Sequence, residues 1–309
     1  MKDFVDKITK RLESMVGDTY NIVVREHVRV NDIKLYALNF LQKNQKCAKN
    51  IYLEPYYAVH QMGFSIEEMA RKILDELNDE KEYISMLEGY SLIAINDFDE
   101  VKDNIVVRIV SQQYNQEFLK DKYYIPFLDL AIILYLIVDR DDIGISSIAI
   151  TKQMVSNWNV SDEELKEVSN ANMKRLFPAR IKSLADVMLE ECEQLQIEST
   201  EIMDEVKNCE VEMYVLSTEN SMNGAVLMLD DIIMKEFADE HGVEQVIIIP
   251  SSLHECMLVP KKDDMRLTEE HCLQMLRDAN LGTVRREDLL SNNLYIYDKS
   301  KNEVTMWND

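Results

Sequence analysis

The chain has 309 residues, enough to bury a sizeable core and to form about two compact units. Hydrophobic residues make up 46% and charged residues 29%, which excludes an intrinsically disordered chain. Thirty-four Lys and Arg stand against 57 Asp and Glu, a formal net charge of −23, so the surface as a whole repels nucleic acid and anionic membrane and favours a basic protein partner.

The first stretch, MKDFVDKITKRLESMVG, has the spacing of an amphipathic helix with acids among its bases. It lacks the uninterrupted apolar core of a secretory leader, so none is expected. In YNIVVREHVRVNDIKLYALNF, Val24, Val28 and Val30 fall on one face of a strand, and Arg25, His27 and Arg29 fall on the other. Asn31 and Asp32 then turn the chain into a second strand from Ile33 to Phe40, predicting a β-hairpin. Ser65 and Glu68 have the spacing of a capping box before an apolar stripe of Ile66, Met69, Ala70, Ile73, Leu74 and Leu77, which predicts a helix.

Ile105 to Ile109 and Pro126 to Val138 read as strands, the second apolar on both faces and therefore central in a sheet. That run contains Asp129 and falls short of the about 20 residues that span a bilayer. DRDDIG reads as a turn into a strand from Ile145 to Ile150, and Ser161 with Glu164 caps a helix that ends near Pro178. From Ser183 to Glu212 the chain carries ten acidic residues and one base, Lys207, without Gly or Pro. Uncompensated like charge belongs in water, so this segment is expected to be an exposed acidic helix or connector between an N-terminal α+β unit, 1–182, and a C-terminal α/β unit, 213–309. The last third alternates: strand 212–217, helix Ala225 to His241, strand Val246 to Pro250, strand Glu255 to Val259, helix Thr268 to Asn280, and a closing pair at 294–297 and 303–306. The expected fold class is α+β, two mixed α/β units with largely antiparallel sheets.

The five cysteines are widely spaced and form no C-x-x-C pair, which argues against a disulfide framework or a zinc ribbon and suits a reducing cytoplasm. Only seven glycines occur and no two are separated by a single residue, so neither G-x-G-x-x-G nor a Walker A loop is present. G-x-S-x-G, H-E-x-x-H and the EF-hand pattern are also missing, and no cofactor or metal is expected.

Two polar interruptions remain. In PSSLHEC, Ser251 or Ser252 as nucleophile, His254 as base and Glu255 as its orienter would compose a hydrolase, but in an extended strand His254 and Glu255 point to opposite faces. The same residues also suit a turn tied down by side-chain to backbone hydrogen bonds. In TENSMNGA, Asn220, Ser221 and Asn223 precede a helix start, where they suit either capping or a ligand. Asp97, Asp99 and Asp103, and Asp139, Asp141 and Asp142, are carboxylate clusters that read as a solvated helix start and a turn. Arg25, His27 and Arg29 would form a cationic strand face, and the 17 methionines read as core filling.

Three stretches, IYLEPYYAVHQMGFSIEEMARKI, IPFLDLAIILY and NGAVLMLDDIIMKEFADEHGVEQVIIIPSSLHECMLVP, together resemble an uncharacterised domain family of anaerobic gut Firmicutes (Clostridia). The resemblance implies that Asn223, Gly224 and Ala225, and Pro250, Ser251, Ser252, His254 and Glu255, characterise the group, and it implies no activity. The leading expectation is a noncatalytic, acidic, cytoplasmic protein that works by interaction. The alternative is a hydrolase or ligand-binding enzyme centred on Ser251, Ser252, His254 and Glu255, completed by Asn220 and Asn223.

Overall fold

A computed structural model describes residues 1–42, 49–78, 94–140, 144–195, 211–262 and 267–307. The chain divides into two compact units, Met1–Ala94 and Ile95–Asp309. Among the described residues all strand pairs are antiparallel and lie in three sheets, a mixed α+β fold. No helix among them is long and apolar enough to cross a membrane.

The first unit contains α1 (Lys2–Val16), β1 (Tyr20–Arg29), β2 (Ile33–Gln42), β3 (Lys49–Tyr52), α2 (Glu54–Gln61) and α3 (Ile66–Asn78). Phe4, Val5, Ile8 and Leu12 recur at helical spacing and bury against Met69, Ala70, Ile73 and Leu77 of α3 and against Leu38, Phe40 and Ile51. Each fully buried Leu or Ile contributes about 1.5–3 kcal/mol of transfer free energy. Arg11 joins the helices with a two-pronged pair, Nε and Nη2 reaching the Glu67 carboxylate at 2.5 and 2.9 Å. The capping box forms as expected, Glu68 N–H on Ser65 Oγ at 3.2 Å and Ser65 N–H on Glu68 Oε2 at 2.8 Å.

Asn31 and Asp32 adopt positive φ, 59° and 50°, and reverse the chain between β1 and β2. The expected inward face of β1 is not buried, since Val24 is 39% exposed. β1 is the edge of the order β1-β2-β3, and only its start, Tyr20 and Ile22, packs on the helices.

In the second unit β4 (Ile105–Ser111), β5 (Tyr124–Phe127), β6 (Leu130–Arg140) and β7 (Ile145–Ala149) make one sheet. The apolar run expected as one strand from Pro126 is a hairpin whose turn is Leu128 and Asp129, with Leu128 at φ 50°. Asp129 explains the break: its carboxylate accepts from Ser291 Oγ at 2.7 Å, Asn293 Nδ2 at 3.0 Å and Tyr295 OH at 2.7 Å, which a strand interior would not permit. β6 is central as its two apolar faces require, paired with β4 on one edge and with β5 and then β7 on the other. Residues 141–143 of the expected DRDDIG turn lie outside the described residues.

α4 (Lys152–Trp158) and α5 (Asp162–Leu176) follow, the latter capped by Ser161 Oγ on Glu164 N–H at 3.1 Å. β8 (Ala179–Ser183), α6 (Leu184–Leu195), β9 (Tyr214–Thr218), α7 (Asp231–Glu240), β10 (Gln245–Ile249), β11 (Cys256–Pro260), α8 (Glu269–Gly282), β12 (Tyr295–Asp298) and β13 (Glu303–Met306) complete the unit. Their six-stranded sheet has the order β13-β12-β10-β11-β9-β8. The acidic segment expected as a boundary therefore lies inside this unit, because β8 before it and β9 after it pair with each other from Ala179↔Thr218 to Ser183↔Tyr214. Its first part is α6, and 196–210 lie outside the described residues.

The helix expected from Ala225 to His241 is a 3-10 turn, Gly224–Leu229, followed by α7. Asp230 separates them: its Oδ1 accepts the N–H groups of Ile232 and Ile233 at 3.0 and 3.2 Å, a capping role that starts a new helix. On one face of the sheet Ile247, Ile249, Val259 and Ile296 bury against Cys272 and Leu276 of α8. The residues between them, Val246, Ile248 and Leu258, are buried as well, so this sheet is covered on both sides.

Candidate functional site

The two polar interruptions meet in space. After β10 the chain leaves the sheet at Pro250, turns through Ser251 to Glu255 and re-enters as β11, while β9 runs out into the 219–223 turn beside it. Gly224 N–H donates to the His254 carbonyl at 2.9 Å, and Ser217 Oγ donates to the same oxygen at 2.8 Å. At Gly224 a Cβ would sit 2.6 Å from Ser217 Cα and 2.7 Å from both His254 O and Thr218 N, so only glycine permits this crossing.

The His254 ring closes the crossing. Its Nδ1 accepts the Asn223 N–H at 3.1 Å, and its Nε2 lies 3.1 Å from Asp288 Oδ1. A backbone N–H can only donate, so Nδ1 is the acceptor and the proton sits on Nε2, facing Asp288. Asp288 is itself held by Arg285 Nε at 2.9 Å, and its carbonyl accepts the Leu253 N–H at 2.8 Å. Asn223 has φ 55°, a left-handed backbone that asparagine tolerates better than most residues and that turns its N–H toward the ring.

The remaining sequence-predicted residues tie down the two turns of this crossing. Ser252 Oγ accepts the His254 N–H at 3.0 Å, and Ser251 Oγ donates to the Glu255 carbonyl at 3.2 Å and lies 3.4 Å from Glu255 Oε1. Asn220 Oδ1 accepts from Thr218 Oγ1 at 2.7 Å and from Met222 N–H at 3.3 Å, within its own turn. Glu255 does not reach the His254 ring, whose carboxylate partner is Asp288, 34 residues on; no local sequence signal marks that pairing. Cys256 points inward, its Sγ 3.7 Å from Ala225 O, and burial pushes its thiol well above the ordinary range, away from nucleophilic thiolate. An Asp288–His254 pair is half of an acid–base constellation, but the second ring nitrogen meets a main-chain amide where a nucleophile would stand.

Asp97 Oδ1 caps its own helical turn through the Asp99 N–H at 3.0 Å, and Asp99 pairs with Lys102 at 2.6 Å. Asp139 Oδ1 accepts the Arg140 N–H at 2.9 Å, while Asp141 and Asp142 lie outside the described residues. Among the described residues no three His, Cys, Asp or Glu side chains gather as metal ligands. The cationic face of β1 folds onto one ring: the Arg29 guanidinium lies 5.1 Å from the centre of Tyr52, and the His27 ring 5.8 Å from it.

A cleft of about 460 Å³ that sequence reading missed lies between α6, α7 and the β8–β9 pair. Its floor is aromatic: Tyr214, Phe237 and His241 contact one another at ring separations of 5.3, 4.6 and 4.2 Å. Asp186, Glu190 and Glu193, on one face of α6, and Glu240 at the end of α7 line it with Lys182, which pairs with Glu190. Burial raises the Tyr214 hydroxyl above its ordinary range, helped by Glu212. The acidic signal was legible in sequence, but the aromatic floor is assembled from two separate elements, β9 and the end of α7.

The sequence profile of a family of unknown function, DUF5688, matches residues 1–299. The chain belongs to this family. No curated protein and no solved structure matches it significantly. In this DUF5688 chain the Asn-Gly-Ala and Pro-Ser-Ser-x-His-Glu stretches are two sides of one backbone crossing, with His254 as its pin.

Proposed function

We propose that this DUF5688 protein is a noncatalytic interaction protein that binds a Lys- or Arg-rich protein partner through the acidic, aromatic-floored cleft between α6 and α7. The observation that carries the reading is the set of Asp186, Glu190, Glu193 and Glu240 around Tyr214 and His241. Carboxylates supply charge attraction to an ammonium or guanidinium, and an aromatic face adds cation–π stabilisation of about 0.5–2 kcal/mol. The overall charge of −23 steers such a partner toward the surface and raises its association rate. The widely spaced cysteines, without a C-x-x-C pair, favour a reducing cytoplasm, and the family resemblance favours anaerobic gut Clostridia. The hydrolase reading has less support, since both His254 ring nitrogens are engaged within the fold.

The test is fluorescence anisotropy with a labelled nona-arginine peptide across a salt series, comparing the wild type with the triple variant E190Q/E193Q/E240Q. Saturable binding that weakens with salt and falls about tenfold or more in the variant is expected. Binding unchanged by the variant, or no binding at low salt, overturns the reading.

A further inference from the structure

The second unit also holds a cavity of about 550 Å³ between α5, the β5–β6 hairpin and the 3-10 turn that precedes α7. That volume falls in the usual range for small-molecule sites, about 300–1,000 Å³. Its apolar walls include Phe127, Leu134, Leu165, Met173, Met228 and Met234. The three methionines sit on α5, on the 3-10 turn and on α7, and unbranched thioether side chains adapt to the outline of an apolar guest.

One wall is cationic, which is unusual in a chain of charge −23. Lys166, Asn170 and Lys174 line the cavity from α5 at spacings of four residues, so they stand in a row along one helix face, and all three are exposed. Three carboxylates line the cavity, Asp230, Asp231 and Glu303, and the first two have partners within the fold. Asp230 caps α7 through two N–H groups and lies 3.6 Å from Lys174, and Asp231 Oδ2 accepts from Asn302 Nδ2 at 3.3 Å. Among the described residues Lys166 is in no ion pair. Charges beyond about 8 Å are largely screened at physiological ionic strength, so these near groups decide what the mouth attracts.

We propose that this cavity is a binding site for a small amphipathic carboxylate, with an apolar chain or ring system among the methionines and an anionic head held by Lys166, Asn170 and Lys174. Hydrophobic burial supplies the affinity, and the lysine row selects the acid over a neutral molecule of the same length. The site is separate from the acidic cleft, and its occupant has the opposite charge.

The test uses sodium decanoate as probe and 1-decanol as its uncharged counterpart, with the full-length protein carrying ¹³C-methyl methionine. Saturable decanoate binding by calorimetry, with resonance shifts at Met173, Met228 and Met234, is expected. Affinity falls about tenfold in K166Q/K174Q, whose changes lie on an exposed helix face, and decanol binds at least tenfold more weakly than decanoate. Equal affinity for the two probes, or no effect of the lysine changes, overturns the assignment of an anionic ligand. Absence of saturable binding, or shifts confined to other methionines, overturns the site.

Discussion

The Nδ1 of His254 accepts the backbone N–H of Asn223 across 31 residues of sequence, at 3.1 Å. With Asp288 on Nε2, the imidazole joins three segments of the second unit: the turn after β9, the turn before β11 and the chain after α8. A histidine so placed holds backbone and has no free nitrogen with which to take a proton from a substrate.

Replacing His254 with Ala leaves the Asn223 N–H without its partner and the Asp288 carboxylate with Arg285 alone. These two part-buried hydrogen bonds, one of them to a charged group, contribute about 1–3 kcal/mol together, which in a unit of this size is a fall in Tm of about 5 °C. Calorimetry of the variant checks this; an unchanged or raised Tm would mean that the ring is held for a ligand.

Gly224→Ala drives a methyl group into backbone at 2.6 Å, where neither side can yield as a side chain would. A loss of about 1–3 kcal/mol or more is expected, with Gly282→Ala as the control because no atom lies within 4 Å of its added Cβ. The control should be neutral or gain up to about 1 kcal/mol of helix propensity. Equal denaturant midpoints for the two variants would contradict the close crossing.

Asp129→Ala removes the acceptor shared by Ser291, Asn293 and Tyr295, of which Ser291 and Tyr295 are buried. Hydrogen bonds to a charged group contribute about 1.5–3 kcal/mol, so urea unfolding should show a loss of at least that size. Asp129→Asn keeps one acceptor oxygen and should fall between the variant and the wild type.

Burial raises the thiols of Cys256 and Cys272, the latter up to about 11, and the hydroxyls of Tyr123 and Tyr295. The ordinary values are 9.0 for the thiol and 10.0 for the phenol, so above about pH 9 the folded protein holds protons that the unfolded chain releases. Stability is therefore fully present below pH 9 and declines as pH rises through 10 and 11, which denaturant titrations at pH 7.5, 9 and 10.5 measure. In native protein at pH 8, iodoacetamide should spare Cys256 and Cys272 and modify both after denaturation. A flat stability profile or ready labelling of either thiol would contradict their burial.

Much of the architecture was readable from periodicity and capping alone. The α1 stripe, the Ser65–Glu68 and Ser161–Glu164 capping boxes, the hairpin reversed at Asn31 and Asp32, and the closing pair β12–β13 follow from local rules that act within a few residues. The misreadings share a cause. The turn at Asp129 and the break at Asp230 occur where one carboxylate finds partners, Tyr295 for the first and the start of α7 for the second, that outweigh the apolar pattern around it. The pairing of β8 with β9 is a long-range choice to which a charge count along the intervening segment is blind.

What the amino-acid sequence by itself determined is the mixed α+β class, the net charge of −23 and the position of two polar interruptions in an apolar background, because composition, period and turn chemistry are local properties. Only the tertiary structure decided that these interruptions are one crossing. Gly224 is required by backbone 2.6 Å from where its Cβ would be, and the tautomer of His254 is set by an amide 31 residues away and a carboxylate 34 residues away. Contacts at that separation depend on how the sheet closes, and no pattern within a short window encodes them.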